Sequence, residues 1–170
     1  MLYTTSIIRF VSRKFSTTQK IYLETSIFNF VFSDDVPDKK SDTLKLFEEI
    51  KLGKYEPYTS AYVVGELEAA SQPKQDSMLK LIPQFRIKVL PKNDSIVLLA
   101  QNYVAKGIIP EKYVTDAYHI ATATVNELDI IASWNFKHIF KMKTVKFTEV
   151  VNIEQGYKKI LIHSPTEVIE

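Results

Sequence analysis

Hydrophobic and polar positions along the chain switch repeatedly between a strand-like and a helix-like period, and each switch marks an element boundary. From Lys20, the run IYLETSIFNFVF opens as a short β-prone segment, turns polar at Glu24, Thr25 and Ser26, and resumes as an apolar helix-like stretch. It reads as strand, turn and helix start. A helix is predicted from about Lys39 to Leu52, with Leu44, Phe47 and Ile50 at helical spacing, acids ahead of it and Gly53 as its stop. KYEPYTSAYVVGELEAA predicts a strand near Tyr55 to Thr59, then a helix N-capped by Ser60 that carries Glu66 early along its length. A helix around Lys74 to Ile82 precedes a short strand at residues 86–90, and NDSIVLLAQNYVAKG predicts a helix opened by Asn93 or Asp94 and closed by Gly107. YVTDAYHIATATVNE is a further helix, followed by the strand LDIIAS and a turn at Trp134, Asn135 and Phe136. A last long helix over 143–155, ended by Gly156, leads to a final strand in KKILIH.

Strands and helices therefore alternate, which predicts an α/β fold with a central parallel β-sheet flanked by helices on both faces. The length of 170 residues suits one domain, and no repeat or low-complexity segment interrupts it. The absence of Cys excludes disulfide frameworks, thiolate zinc sites and cysteine nucleophiles. Four glycines, no two of them close together, leave neither a dinucleotide fingerprint nor a P-loop. His119, His138 and His163 show no HExxH arrangement, and no serine sits in a nucleophile elbow.

The net charge of +2 is unevenly spread, because Arg9, Arg13, Lys14 and Lys20 give the first 23 residues +4 with no acid. Residues 1–19 have the Ser, Thr and basic composition of a mitochondrial transit peptide, while a flexible extension or an upstream start are the plainer readings. The folded domain is expected over 20–170.

In open α/β sheets, ligands sit beyond the carboxyl ends of the strands, so polar residues at strand ends and helix starts are the candidates for chemistry. Glu24, Glu66, Asp116 and Asn135 occupy such places. Each acid taken singly reads as a cap or a charge complementing a helix dipole. Three carboxylates gathered at one rim would repel one another unless a cation neutralised them, and an all-oxygen donor set favours Mg²⁺ or Mn²⁺.

The segments IYLETSIFNF, YTSAYVVGELEAA, VTDAYHIATATVNELDIIASWNFKHI and NIEQGYKKILIHSPTEVI, in that order and spacing, resemble PIN-domain proteins over about residues 20–169. Within that family the chain is most similar to bacterial VapC-like members, in the subgroup with YLETS and SWNFKH motifs. A cytoplasmic location is the default for a chain without Cys, and the resemblance implies a three-layer PIN-like fold and a metal-dependent endoribonuclease that hydrolyses RNA. It implies also the toxin of a toxin–antitoxin pair, with an antitoxin protein as candidate partner, a homodimer, and no membrane. Position by position, Glu24 matches the family's first acid, Glu66 its second, Asp116 its third, and Asn135 the fourth position, acidic in many members. The first three would hold Mg²⁺ or Mn²⁺, and all four would form the catalytic set.

Thr25 and Ser26 match the small polar pair after the first acid, and Ser133 a small hydroxyl residue near the pocket; with His119 and Trp134 they are the candidate substrate-binding residues. His119 lies three residues after Asp116 and would orient that carboxylate, or else be a structural histidine. Trp134 would stack a base or pack in the core. Lys137, Lys141, Lys143 and Lys146 would track an RNA backbone or form a solvated face. Two departures from the family pattern matter: Glu24 stands where Asp is usual, although the YLETS subgroup shares the Glu, and Asn135 removes a charge. They sustain an alternative, a weak or inactive PIN-fold module that binds RNA or a protein partner. A DNA-directed nuclease of the same fold is a third reading.

Overall fold

The computed structural model describes residues 18–139 and 141–170, so the N-terminal extension lies outside the described residues apart from its end. The chain begins as β1 (Gln19–Leu23), α1 (Thr25–Phe30), α2 (Pro37–Lys51), β2 (Tyr55–Ser60), α3 (Ala61–Glu68), α4 (Lys74–Gln84) and β3 (Lys88–Leu90). It continues as α5 (Asp94–Ala105), a 3₁₀ turn (Glu111–Tyr113), α6 (Val114–Val125), β4 (Ile130–Ala132), α7 (Met142–Glu154), β5 (Leu161–His163) and α8 (Pro165–Val168). The first strand thus starts one residue before the expected domain boundary, and the third starts two residues later than its sequence pattern suggested.

The five strands form one sheet in the order β3-β2-β1-β4-β5, and every pairing is parallel. β1 is central. It pairs with β2 on one side, Tyr22 opposite Tyr58, and with β4 on the other, Leu23 opposite Ala132. Strands covered on both faces need apolar residues at consecutive positions. Ile21, Tyr22 and Leu23 of β1 and Ile130, Ile131 and Ala132 of β4 meet that need, all of them buried. The helices pack in two groups, α1 with α2, α3 and α4, and α5 with α6 and α7, and α3 also meets α6.

The helices bury part of their apolar surface: α7 leaves Phe147, Val150 and Ile153 exposed, and α5 leaves Leu98 so. On α2 the buried stripe is Thr43, Leu46, Phe47 and Ile50, while Leu44, expected inside, is 41% exposed. A step of one residue rotates a side chain by about 100°, so Leu44 cannot share the face of both Thr43 and Leu46. α6 is buried almost all round at Ala117 and from His119 to Thr124, where small side chains let neighbouring elements approach closely. Gly53 (φ 81°) and Gly107 (φ 67°) end α2 and α5 in the left-handed region, which a Cβ disfavours.

The strand order locates the site. The chain moves outward from β1 through β2 to β3, then returns past β1 to build β4 and β5 on the other side. At the carboxyl ends of β1 and β4, successive connections depart in opposite directions and leave a crevice. The Glu24 N–H donates to the Ala132 carbonyl at 3.2 Å, which ties the two strand ends together.

Candidate metal centre

Glu24 leaves β1 and N-caps α1, its carboxylate accepting the Ser26 N–H at 3.1 Å. The same oxygen, Oε2, accepts the Ser26 hydroxyl and, at 2.9 Å, the Ser133 hydroxyl. Both hydroxyls are themselves pinned from behind: Ser26 Oγ accepts the Trp134 N–H at 2.8 Å, and Ser133 Oγ accepts the Asn135 N–H at 2.9 Å. All three bonds to Glu24 end on Oε2, which leaves Oε1 for a further partner. Glu24 is 5% exposed, and this cage fixes the direction of its carboxylate.

Glu66 lies in the second turn of α3, later in the helix than its sequence context suggested, with a side chain 37% exposed. Its Oε2 accepts the Thr25 hydroxyl and meets His119 Nε2 at 3.0 Å. Burial opposes its ionisation, but the His119 bond and charge and the Thr25 bond outweigh that and hold its pKa below the ordinary value. Behind it runs a buried chain: His119 Nδ1 to the Tyr22 hydroxyl at 2.9 Å, and that hydroxyl to Ser60 Oγ at 2.7 Å. Ser60 Oγ also accepts the Val63 N–H as the N-cap of α3.

Counting donors assigns the protons in this chain. With Ser60 donating to Tyr22, Tyr22 to His119 Nδ1, and His119 Nε2–H to Glu66, every hydrogen has an acceptor. Burial disfavours the charged imidazolium, yet the Glu66 bond and the charges of Glu24, Glu66 and Asp116 raise the His119 pKa. The two tendencies describe one circumstance, a ring held by neutral partners on one side and by carboxylates on the other.

Asp116 stands in the first turn of α6 and accepts Asn135 Nδ2–H at 3.1 Å. Asn135 Oδ1 in turn accepts the His138 N–H at 3.2 Å, which fixes the orientation of the amide. An Asp at 135 could accept from His138 but could give Asp116 no hydrogen bond. Burial pushes the Asp116 pKa up to about 6; the His119 charge opposes the rise, and the charges of Glu24 and Glu66 reinforce it. No Lys or Arg pairs with Glu24, Glu66 or Asp116 among the described residues; the basic side chain bonded to Glu66 is His119.

One ligand atom each from Glu24, Glu66 and His119 lies within 4.8 Å of the others, so the tightest potential donor group contains His119 where the sequence pointed to Asp116. Both ring nitrogens of His119 already have protein partners, which suits it to orienting Glu66 more than to joining a coordination sphere. The carboxylates alone are a hard, anionic donor set, and Mg²⁺ or Mn²⁺ fits that chemistry.

Comparison with solved structures places the architecture. A chain of VapBC2 from Rickettsia felis, solved with a DNA fragment from the promoter, matches with a TM-score of 0.54 at 16% identity, covering 86% of this chain and 98% of that one. VapBC-1 from nontypeable Haemophilus influenzae matches at 0.53 and 17% identity over 87% of this chain and 99% of that one. DNA-bound VapBC from Salmonella typhimurium matches at 0.51 and 14% identity over 86% and 98%. The fold is PIN-like. No protein-family model matches the chain, and no curated protein does so either.

The structure also redistributes the residues expected at the site. Thr25, Ser26 and Ser133 hold carboxylates in place and so act on the acids first. His119, 1% exposed, makes its carboxylate hydrogen bond to Glu66 and has no open face for a substrate. Trp134, for which base stacking and core packing are the two expectations, is 7% exposed and packs beside Phe30, while its indole N–H donates to Thr43 Oγ1 at 2.9 Å. Tyr22 and Ser60, which read as packing and as a cap, are members of the chain behind Glu66. Nothing in their local sequence shows this, because their partner His119 is 97 residues from Tyr22.

Proposed function

We propose that the protein is a metal-dependent endoribonuclease in which Glu24, Glu66 and Asp116 hold Mg²⁺ or Mn²⁺, and that it serves as the toxin of a toxin–antitoxin pair. One observation carries this reading: caged and mutually repelling carboxylates meet at the switch point of a PIN-like sheet, with no Lys or Arg paired to them among the described residues. A bound divalent ion supplies charge stabilisation at a phosphoryl oxygen and a more acidic water. The residues of the chain do the positioning. Ser26 and Ser133 aim Glu24, His119 and Thr25 aim Glu66, and Asn135 aims Asp116.

RNA is the proposed substrate. The toxin setting is supported by the fold shared with chains of VapBC structures, and it makes an antitoxin protein the proposed partner. A homodimer and a cytoplasmic location belong to the same reading; light scattering of the purified protein tests the first. Asn135 favours one alternative, a PIN-fold module that binds RNA or a protein without cutting, since it supplies an amide where many family members supply an acid.

The deciding experiment is cleavage of a mixed RNA panel, including tRNA and ribosomal RNA, by wild type and Asp116→Asn, with Mn²⁺, Mg²⁺ or EDTA. Wild type cuts only with metal, and the variant does not cut. In EDTA the melting temperature of Asp116→Asn is equal to or above that of wild type, because removing one charge relieves repulsion among the acids. RNA binding that ignores both EDTA and the substitution, with no cleavage, would establish the binding module instead.

A further inference from the structure

Beside the acidic centre lies a cleft of about 310 Å³ with the opposite charge, lined by Lys112, Tyr113, Lys137, His138, Lys141 and Lys143 among others, and by no acid. None of these four lysines forms an ion pair with an acidic side chain among the described residues. Two of them stand where a helix is least stabilised by positive charge. Lys141 is the N-cap of α7 and Lys143 lies in its first turn, with no acid in that turn and no side-chain cap. The positive end of a helix dipole favours anions, so lysines gathered there oppose helix stability and suit an external anion. The field they create is felt locally: burial and the charges of Lys112, Lys137 and Lys141 lower the pKa of His138.

The cleft has an aromatic wall as well. The rings of Tyr113 and His138 lie 3.7 Å apart between centroids and 30° from parallel, and Lys112 Nζ sits 4.9 Å from the Tyr113 ring. A cationic groove that also offers aromatic side chains is the means by which single-stranded nucleic acid is held without sequence preference. The cleft is joined to the acidic centre at two points. Tyr113 leads directly into α6, which carries Asp116 in its first turn, and the Asn135 side chain bridges the His138 N–H to Asp116.

We propose that this cleft is a second phosphate-binding site, which holds the backbone of a single RNA strand next to the phosphodiester positioned at Glu24, Glu66 and Asp116. The inference rests on the ribonuclease reading and adds to it where the strand runs. It also answers an electrostatic need, since an acidic centre repels a polyanion unless positive charge beside it retains the strand. An acidic protein segment is the competing occupant, but the aromatic pair and the link to Asp116 favour the nucleic acid.

The test is equilibrium binding of a fluorescent single-stranded RNA in EDTA, over a series of salt concentrations, so that no cleavage is required. The variant Lys137→Ala/Lys141→Ala/Lys143→Ala is compared with Lys45→Ala/Lys51→Ala/Lys74→Ala, which removes the same charge from exposed positions elsewhere. The cleft variant is expected to bind about tenfold or more weakly at ~0.1 M salt, with a log–log salt slope smaller by about 2, as loss of three phosphate contacts predicts. The control triple is expected to match wild type. Equal losses in both triples, an unchanged cleft variant, or a poly-glutamate peptide held more tightly than RNA by the wild type would overturn the proposal. Uncut RNA in the presence of Mn²⁺ would count against the ribonuclease reading and leave this binding result to stand separately.

Discussion

A carboxylate placed at a strand end is only as useful as the groups that aim it, and here each acid has its own. Glu66 depends on His119, whose ring is held in turn by Tyr22. His119→Phe removes the bond to Glu66 and leaves the buried Tyr22 hydroxyl without its nitrogen partner. Stability is expected to fall by about 1–3 kcal/mol, the usual cost of unsatisfied buried polar groups, and Mn²⁺ affinity to fall with it. Urea denaturation in EDTA and calorimetric titration with Mn²⁺ measure the two effects. At Asn135 the opposite change adds a charge. Asn135→Asp replaces an amide donor by a carboxylate facing Asp116, so the melting temperature in EDTA at pH 8 should drop. Mn²⁺ should restore more of the loss than it adds to wild type; an equal shift in both proteins would show that residue 135 lies outside the metal's influence. Of this detail the sequence exposes Glu24 as a strand-end residue and Asp116 as a helix-start residue, while Glu66 lies further along α3 than its context suggested. It hides the aiming groups, because Ser133 is 109 positions from Glu24 and His119 is 53 from Glu66.

Helix ends place the acids in space, which makes capping a matter of site geometry as well as stability. Ser60 caps α3 and also anchors Tyr22, whereas Asn93 caps α5 through the Ile96 N–H at 2.9 Å and serves no site. Asn93→Ala should cost about 1 kcal/mol, the ordinary value of a lost N-cap, and leave metal binding unchanged. Ser60→Ala should cost at least as much and should in addition weaken Mn²⁺ binding, because the chain to Glu66 loses its far end. Chemical denaturation and metal titration of the two variants side by side separate a cap from a cap that supports a site. Both caps were readable in the sequence, as were the glycine stops of α2 and α5. The double duty of Ser60 was not, for it depends on β1 lying next to β2.

Across the whole molecule, the C-terminal segment is stitched to α2 and β2. The buried Glu49 accepts the Glu170 N–H at 3.0 Å and pairs with Lys54 at 3.0 Å, while the Tyr55 hydroxyl donates to the Val168 carbonyl at 2.8 Å. Burial alone would raise the Glu49 pKa, but the Glu170 N–H and Lys54 outweigh it and hold the value below the ordinary range. A carboxyl with a lowered folded pKa contributes stability above its unfolded pKa and loses that contribution as pH falls through the folded value. Glu49→Gln should therefore destabilise the protein more at pH 7 than at pH 3. Urea midpoints at the two pH values check this, and a pH-independent difference would refute it.

The sequence by itself determined the alternation of strands and helices, most of their boundaries, and the places of Glu24 and Asp116 at element ends, because periodicity, caps and stops are local properties of the chain. It could not determine which acid lies nearest which. Only the tertiary structure, by setting β1 between β2 and β4, decided that His119 supports Glu66 instead of Asp116, that Ser133 reaches Glu24, and that Trp134 turns into the core. The physical reason is range: hydrogen bonds and side-chain charges act over a few ångströms, and those ångströms are spanned by pairings between residues dozens of positions apart.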